Sequence, residues 1–252
     1  MMSPSLVPFG FRDVTKEEKP SLVDSVFSDV AHRYGLMNDV MALGMHRIWK
    51  TILCGRIRLS SPIPPSPLHV LDLACGDGDI GMRVARAGDG RHVTLCDVNI
   101  AMLHEGYKKA SSRHRSVTWV NASADALPFR REYFHCVTIG FGLRNMADYR
   151  DVLREIYRCL KKGGQLLALE LSAVRAACLE DVYRWYVFRH VPAMGRLVAG
   201  REAAYRYLAE SIERFDSPAC VRASMEEVGF VRATACPMGM GVVHLYEGWK
   251  EE

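Results

Sequence analysis

The chain has 252 residues, a formal net charge of +4, 49% apolar and 25% charged residues. This predicts one large domain, or one domain with insertions, with ample material for a core. The charge is too small to argue for a nucleic-acid partner, and no run of about 18 apolar residues marks a membrane span.

The eight cysteines form no C-x-x-C pair, and no histidine cluster has zinc spacing. A reducing compartment without a metal site is expected. Cys75, in a glycine turn, is the one cysteine whose surroundings suit a reactive thiol, with a small residue in a tight turn as the plainer account. The opening MMSPSLVPFGF has neither a basic nor an apolar region of a signal peptide, so the expected location is cytoplasmic.

In chain order, residues 1–19 read as irregular. Pro20 fits a first helical turn, and Leu22, Val23, Val26, Phe27, Val30 and Ala31 recur at helical spacing. RYGLMNDVMALGMHRIWK follows as a turn and a second amphipathic helix. The Pro/Ser-rich residues 60–67 form a linker, dividing a helical cap (1–59) from a main domain (68–252).

Beyond the linker, strands and helices alternate. LHVLDL, HVTLCD, SVTWVN, YFHCVTIG and QLLALEL are strands, with helices near 79–88 and 99–111. Tyr149, Val152, Leu153, Ile156 and Leu160 form a helical stripe predicted to stop at Gly163-Gly164. Residues 175–215 read as a helical insertion, CVRASMEEVG as a helix, and FVRATACPM with GVVHLYEGW as an antiparallel pair. The fold class is therefore α/β: a doubly wound, mostly parallel seven-stranded sheet with a terminal hairpin and a helical cap. This layout resembles the Rossmann-like class I methyltransferases that use S-adenosylmethionine.

VLDLACGDGDIG spells G-x-G-x-x-G at Gly76, Gly78 and Gly81, a motif that often cradles a dinucleotide. Here the turn carries Asp77 and Asp79, with Asp72 just before it. A pyrophosphate would meet like charge, at a cost of roughly 1–4 kcal/mol at about 4 Å. The ammonium and sulfonium of S-adenosylmethionine reverse that sign. Gly76 and Gly78 let a ligand approach the backbone. Asp97 ends the second strand, where a carboxylate accepts from both ribose hydroxyls, although a helix cap is the plain alternative. Ser123, Ala124 and Asp125 follow the third strand, placed to meet an adenine, with an ordinary Asx turn as the alternative.

FGFRDV, VFSDVAHRYGLMNDVMALGMHRIWK, VLDLACGDGD, ADALPF, FGLRN and AYRYLAESI together resemble the ubiquinone/menaquinone biosynthesis C-methyltransferase family over nearly the whole chain. The resemblance implies S-adenosylmethionine as donor and a ring carbon of a polyprenylated quinol as acceptor. That acceptor is 2-methoxy-6-polyprenyl-1,4-benzoquinol, demethylmenaquinol or both. It implies no metal and no nucleic acid. Peripheral contact with the inner face of a membrane, contact with other quinone-biosynthesis enzymes and a homodimer are compatible with it. Carried over, the donor contacts are Asp77, Asp97, Ser123, Ala124 with Asp125, and Gly140. Three segments depart from the family pattern. The glycine turn usually reads Gly-Gly-Thr-Gly, Gly140 is usually Ser, and Gly35 is usually Asp.

Arg144 in FGLRN is the candidate to stabilise a phenolate or orient a water, and Asn145 to hold the ring hydroxyl; a surface salt bridge is the alternative for Arg144. Tyr34 and His46, in the cap, are candidate proton handlers. Residues 183–207 interleave aromatics with arginines and are read as either a tail tunnel touching anionic lipid or a packed helix. The rival classes are a nicotinamide oxidoreductase, a nucleic-acid methyltransferase and a non-catalytic scaffold. The carboxylates in the turn oppose the first, and the lack of an Asn/Asp-Pro-Pro-Tyr loop opposes the second.

Overall fold

The computed structural model describes residues 5–28, 31, 34–57, 67–88, 90–110, 116–175, 180–193 and 202–251. The first strands, β1 (Leu6–Phe9) and β2 (Arg12–Thr15), pair as an antiparallel hairpin where the sequence reads as irregular. Pro8 and the absence of apolar alternation hide it. Its turn uses Gly10 at φ 59°, and Phe9 anchors it by stacking on Tyr207 at 4.4 Å.

The cap helices are α1 (Lys19–Ser28), α2 (Tyr34–Met41) and α3 (Met45–Gly55). The stretch expected to hold one turn and one helix holds two helices. Leu43 at φ 47° and Gly44 at φ 74° break it. Residues 60–66 of the predicted linker lie outside the described residues.

The main sheet contains β3 (Leu68–Leu73), β4 (Arg91–Asp97), β5 (Val117–Asn121), β6 (Phe134–Gly140), β7 (Leu160–Leu171), β8 (Phe230–Met238) and β9 (Val243–Lys250). Their order is β5-β4-β3-β6-β7-β9-β8, parallel except at β9, which is antiparallel to both β7 and β8. The intervening helices are α4 (Asp79–Arg86), α5 (Ile100–Lys109), α6 (Tyr149–Cys159), α7 (Glu180–Trp185, continued by a wide turn over Tyr186–His190), α8 (Glu202–Arg214) and α9 (Pro218–Val228). The core lies on both faces. Leu71, Leu73, Val137 and Ile139 pack against Val152, Leu153, Ile156 and Met225, while Val70, Val93 and Leu95 pack against Leu53, Ile80 and Val84. Alternation along β3 sends neighbouring residues to opposite helix layers.

Helix α6 stops at Cys159, not at the glycine pair. Leu160 already pairs with Phe134, and pairing resumes at Gln165 opposite Cys136. Gly163, at φ 68°, therefore serves a bulge inside β7 rather than a helix cap.

Asp72 lies 1% exposed beneath the N-terminus of α4. It accepts from Gly81 N at 2.8 Å and from the Thr138 hydroxyl at 2.8 Å. Burial raises its carboxyl to about 7. The folded chain thus holds this proton more tightly than the unfolded chain, so its contribution is full below about pH 4 and is lost as pH rises through 7. Asp72→Asn still accepts from Gly81 N through its one oxygen, while its amide NH2 donates to the Thr138 hydroxyl with the direction of that bond reversed, and the charge is gone. It is expected to melt higher than the parent at pH 8, by a margin that shrinks at pH 4.5. At roughly 2–4 °C per kcal/mol for a chain this size, scanning calorimetry resolves the gap. Equal margins at both pH values would assign Asp72 an ordinary carboxyl.

Candidate active site

The carboxyl ends of β3, β4 and β6 open onto a cavity roofed by α1. Its floor is Leu73, Ala74 and Gly76 from the glycine turn, with Asp97, Ala124 and Gly140 from the neighbouring strands and loops. Among the described residues, five carboxylates line it, Asp24, Asp97, Asp125, Asp148 and Asp151, against the single cation Lys16. Lys16 pairs with Asp151 and lies 3.6 Å from Asp148, leaving the balance acidic. A cationic aminoacyl nucleoside fits this wall, whereas a pyrophosphate does not.

Asp97 is the organising group. Its carboxylate accepts from Gly76 N at 2.7 Å and Asn99 N at 2.8 Å, tying the glycine turn to the end of β4. Burial pushes its carboxyl above the ordinary range, and these two backbone donors oppose the rise. Asn99 caps α5 through Met102 N. Its amide also donates to Asp24 O, Asp24 Oδ1 and Ser28 Oγ, fastening the roof helix to the sheet.

A second cavity of about 490 Å³ adjoins the first across Phe27 and Phe141, which line both. Its wall is mostly hydrocarbon and ring: Met41, Ala42, Trp49, Tyr183, Val187 and Tyr205 among others. Phe141 sits at φ 63°, in the left-handed region a bulky residue rarely occupies, and this aims the ring between the two cavities.

Next to that ring, the chain turns through Leu143–Asn145. Arg144 faces the apolar cavity and Asn145 the acidic one. Arg144 is 7% exposed. Its Nη1 donates to Glu170 Oε1 at 2.6 Å and to Phe141 O at 2.7 Å, while its backbone N donates to Glu170 Oε2 at 3.0 Å. The expected alternative, a surface salt bridge, is replaced by a buried one that fixes the guanidinium. Asn145 Oδ1 accepts from the Tyr207 hydroxyl at 3.0 Å. Lys19, buried, donates to Arg144 O at 3.2 Å, and burial lowers its ammonium to about 8.

The structure brings Gly76, Asp97, Ser123, Ala124, Asp125, Gly140 and Asn145 to the acidic cavity, and Arg144 and His46 to the apolar one. Asp72, Asp77 and Gly78 do not line the acidic cavity. Asp72 supports α4 from beneath. Asp77 pairs with Lys109 at 2.9 Å, and Asp79 pairs with Lys50 at 3.0 Å and Arg83 at 2.8 Å. The acidic character expected of the glycine turn thus comes from other segments. Gly78 serves geometry: at φ 79°, an added Cβ would stand 2.9 Å from the Trp119 ring.

At Gly140, an added Cβ would meet Ile80 Cδ1 at 2.3 Å, so Ile80 fills the space a serine side chain needs. Gly35 has nothing within 4 Å of its Cβ position. The side chain of Tyr34 lies outside the described residues. His46 Nε2 lies 3.6 Å from Asp39, its Nδ1 has no hydrogen-bond partner among the described residues, and burial followed by Lys50 lowers its pKa. Burial also drives the Cys75 thiol well above its usual range, which leaves it protonated and unreactive.

Sequence reasoning missed Glu170, Asn99, Lys19 and the acidic set of Asp24, Asp148 and Asp151. Glu170 carried a signal, being a lone carboxylate in the apolar strand QLLALEL. The others are ordinary surface-type residues until the chain folds.

A doubly wound sheet with this acidic cavity at its strand ends defines a class I S-adenosylmethionine-dependent methyltransferase. Solved structures share the fold. A SAM-dependent methyltransferase from Thermotoga maritima superimposes with a TM-score of 0.60 at 16% identity, covering 91% of this chain and 100% of that one. Phosphoethanolamine N-methyltransferase 2 of Haemonchus contortus, in complex with S-adenosyl-L-methionine, gives 0.61 at 13% identity over 81% of this chain and 52% of that one. The model of the ubiE/COQ5 methyltransferase family matches residues 12–250. The ubiquinone/menaquinone biosynthesis C-methyltransferase UbiE of Bradyrhizobium diazoefficiens is 41% identical over 245 residues, 96% of each chain. Its counterpart in Rhodopseudomonas palustris is 42% identical over the same share. The chain belongs to the ubiE/COQ5 methyltransferase family and is an S-adenosylmethionine-dependent C-methyltransferase.

Proposed function

We propose that the chain methylates a ring carbon of a polyprenylated quinol, a benzoquinol or naphthoquinol of ubiquinone or menaquinone synthesis. One observation carries this: an acidic cavity suited to a cationic donor meets a large apolar cavity across Phe27 and Phe141, with a buried arginine on the apolar side.

Bound S-adenosylmethionine supplies an electrophilic methyl group. In this reading Asp97 accepts from the ribose hydroxyls and Ser123, Ala124 and Asp125 border the adenine, supported by their shared lining of the acidic cavity. Asp24, Asp148 and Asp151 favour the positive charge of the aminoacyl end and sulfonium. The apolar cavity takes the ring and the first isoprene units, and Tyr183, Tyr186 and Val187 of the 183–207 segment contribute to its wall.

Removing the proton of a ring hydroxyl makes the ortho carbon nucleophilic, and once that carbon carries the methyl it gives up its own hydrogen as a proton, which restores the aromatic ring. Arg144 stabilises the resulting negative oxygen with a charge already fixed by Glu170, so little reorganisation accompanies the reaction. His46, neutral near pH 7 because burial and Lys50 depress its pKa, stands in the same cavity to receive the proton. The rings of Phe27, Trp49 and Phe141 exclude water, which strengthens the Arg144 field.

Calorimetric titration with S-adenosylmethionine is expected to give one site per chain. Methyl incorporation is expected with at least one of the two reduced acceptors. Tight NADH binding without any response to S-adenosylmethionine, or no turnover of either acceptor, overturns the proposal.

A further inference from the structure

Three stretches that lie far apart in the sequence meet at the turn that carries Arg144. The hairpin of β1 and β2 supplies Phe9 and Phe11, helix α8 supplies Tyr207 and Glu210, and the turn itself supplies Asn145. The ring of Phe9 stacks on that of Tyr207 at 4.4 Å, and Phe11 N donates to Glu210 at 3.1 Å. An added Cβ on Gly10 would run into the Glu210 carboxylate, so the hairpin turn packs directly on α8. Lys19, at the start of α1, holds the same turn through Arg144 O. Tyr207 is buried, and a phenylalanine would make the same stack. What the tyrosine adds is a hydroxyl, and among the described residues that hydroxyl has one partner, Asn145 Oδ1 at 3.0 Å. Burial pushes the phenol up to about 12, so it keeps its proton and donates. The other end of the Asn145 amide is fixed as well. Its Nδ2 donates to Phe141 O at 3.4 Å, and a carbonyl oxygen can only accept. The amide thus has its oxygen on Tyr207 and its NH2 end at Phe141. Asn145 lines the acidic cavity and Tyr207 the apolar one, so the pair stands between them, as the Phe141 ring does. Among the described residues the NH2 makes that one long bond, which leaves an N–H for a ligand at the junction.

We propose that Tyr207 is a positioning residue: by holding Asn145 Oδ1, it commits the Asn145 amide to donating its NH2 to the acceptor oxygen as that oxygen becomes anionic. The inference rests on the quinol reading above. It settles a choice that residue type leaves open, because an asparagine can accept from a hydroxyl or donate to an oxyanion. With Oδ1 turned to Tyr207, the end left for the substrate is the donor. A donor serves the anion better than the neutral hydroxyl, so the contact strengthens as the ring loses its proton and adds to the field of Arg144. Without the Tyr207 hydroxyl the amide is free to turn its oxygen to the junction, where a lone pair would face the growing negative charge. The hairpin then acts on the chemistry at one remove. Phe9 seats the Tyr207 ring, Tyr207 sets the amide, and the FGFRDV and AYRYLAESI segments work through FGLRN.

The test is single-turnover methylation of a reduced quinol, alongside titration of donor and acceptor, by Tyr207→Phe, Asn145→Ala, Asn145→Asp and the double variant Tyr207→Phe/Asn145→Ala. Tyr207→Phe keeps the Phe9 stack and is expected to melt close to the parent. Its rate should fall about tenfold, with both dissociation constants within about twofold of the parent's. Asn145→Ala should be at least as slow. Adding Tyr207→Phe to it should cost nothing further, since a hydroxyl that acts through Asn145 then has nothing to position. Asn145→Asp keeps an acceptor for Tyr207 but has no N–H to give, and should be no faster than Asn145→Ala. A Tyr207→Phe rate equal to the parent's, a loss that multiplies with that of Asn145→Ala, or near-parent turnover by Asn145→Asp overturns the inference. So does a Tyr207→Phe defect lying wholly in donor affinity, which assigns the amide to the donor's carboxylate. If the parent binds S-adenosylmethionine but methylates neither reduced quinol, the quinol reading fails, and this inference falls with it.

Discussion

Arg144→Ala is expected to lower the single-turnover rate of quinol methylation about a hundredfold while leaving donor affinity nearly unchanged. The guanidinium borders the acceptor cavity, and the donor contacts come from other loops. An interaction that strengthens as charge develops on the acceptor oxygen lowers the barrier, not the ground-state binding energy. The substitution also strands Glu170, 0% exposed, without its partner, at a cost of about 3–5 kcal/mol in stability. Arg144→Ala/Glu170→Ala removes both charges and isolates the catalytic loss from that cost. Folding should recover in the double variant and turnover should not. Arg144→Lys should restore part of the rate, because a point charge cannot hold Glu170, Phe141 O and substrate with one planar fork. Return of normal turnover in the double variant would make Arg144 a structural residue.

Asp97→Ala is expected to weaken S-adenosylmethionine binding by at least about tenfold, since hydrogen bonds to a charged acceptor are worth about 1.5–3 kcal/mol. Two routes lead to that loss. The carboxylate faces the donor cavity, and it also holds Gly76 N and Asn99 N. A dideoxyribose analogue of the demethylated donor separates them. It should bind the parent much more weakly than the natural product does, and bind Asp97→Ala with no further penalty. If the analogue loses as much affinity on the variant as on the parent, Asp97 acts only by shaping the turn.

Much of the scaffold was legible because sheet and helix impose different apolar periods. LHVLDL and YFHCVTIG are buried on both faces, and the 149–156 stripe follows a 3.6-residue period. The hairpin at residues 6–15 was not legible. Its stability comes from Phe9 on Tyr207 and from Phe11 N donating to Glu210, partners about 200 residues away. The end of α6 was misplaced for a related reason. Glycine marks a left-handed turn, but sequence does not say whether the turn caps a helix or bulges a strand.

Residue order alone already carries the alternating α/β order, the terminal hairpin, the position of Asp97 at a strand end, and the FGLRN segment that holds Arg144. These follow from local periodicity and from motifs within a few residues. Which carboxylates face the donor cavity is set by packing in three dimensions. Asp77 and Asp79 are neutralised outside it by Lys109, Lys50 and Arg83, while Asp24, Asp148 and Asp151 are gathered into it from α1 and the start of α6. Packing also decided that Arg144 is clamped by Glu170 and that the outer face of α3 is apolar. The direction of a charged side chain depends on the counter-charge that packing brings within about 4 Å, and packing joins residues that sequence keeps far apart.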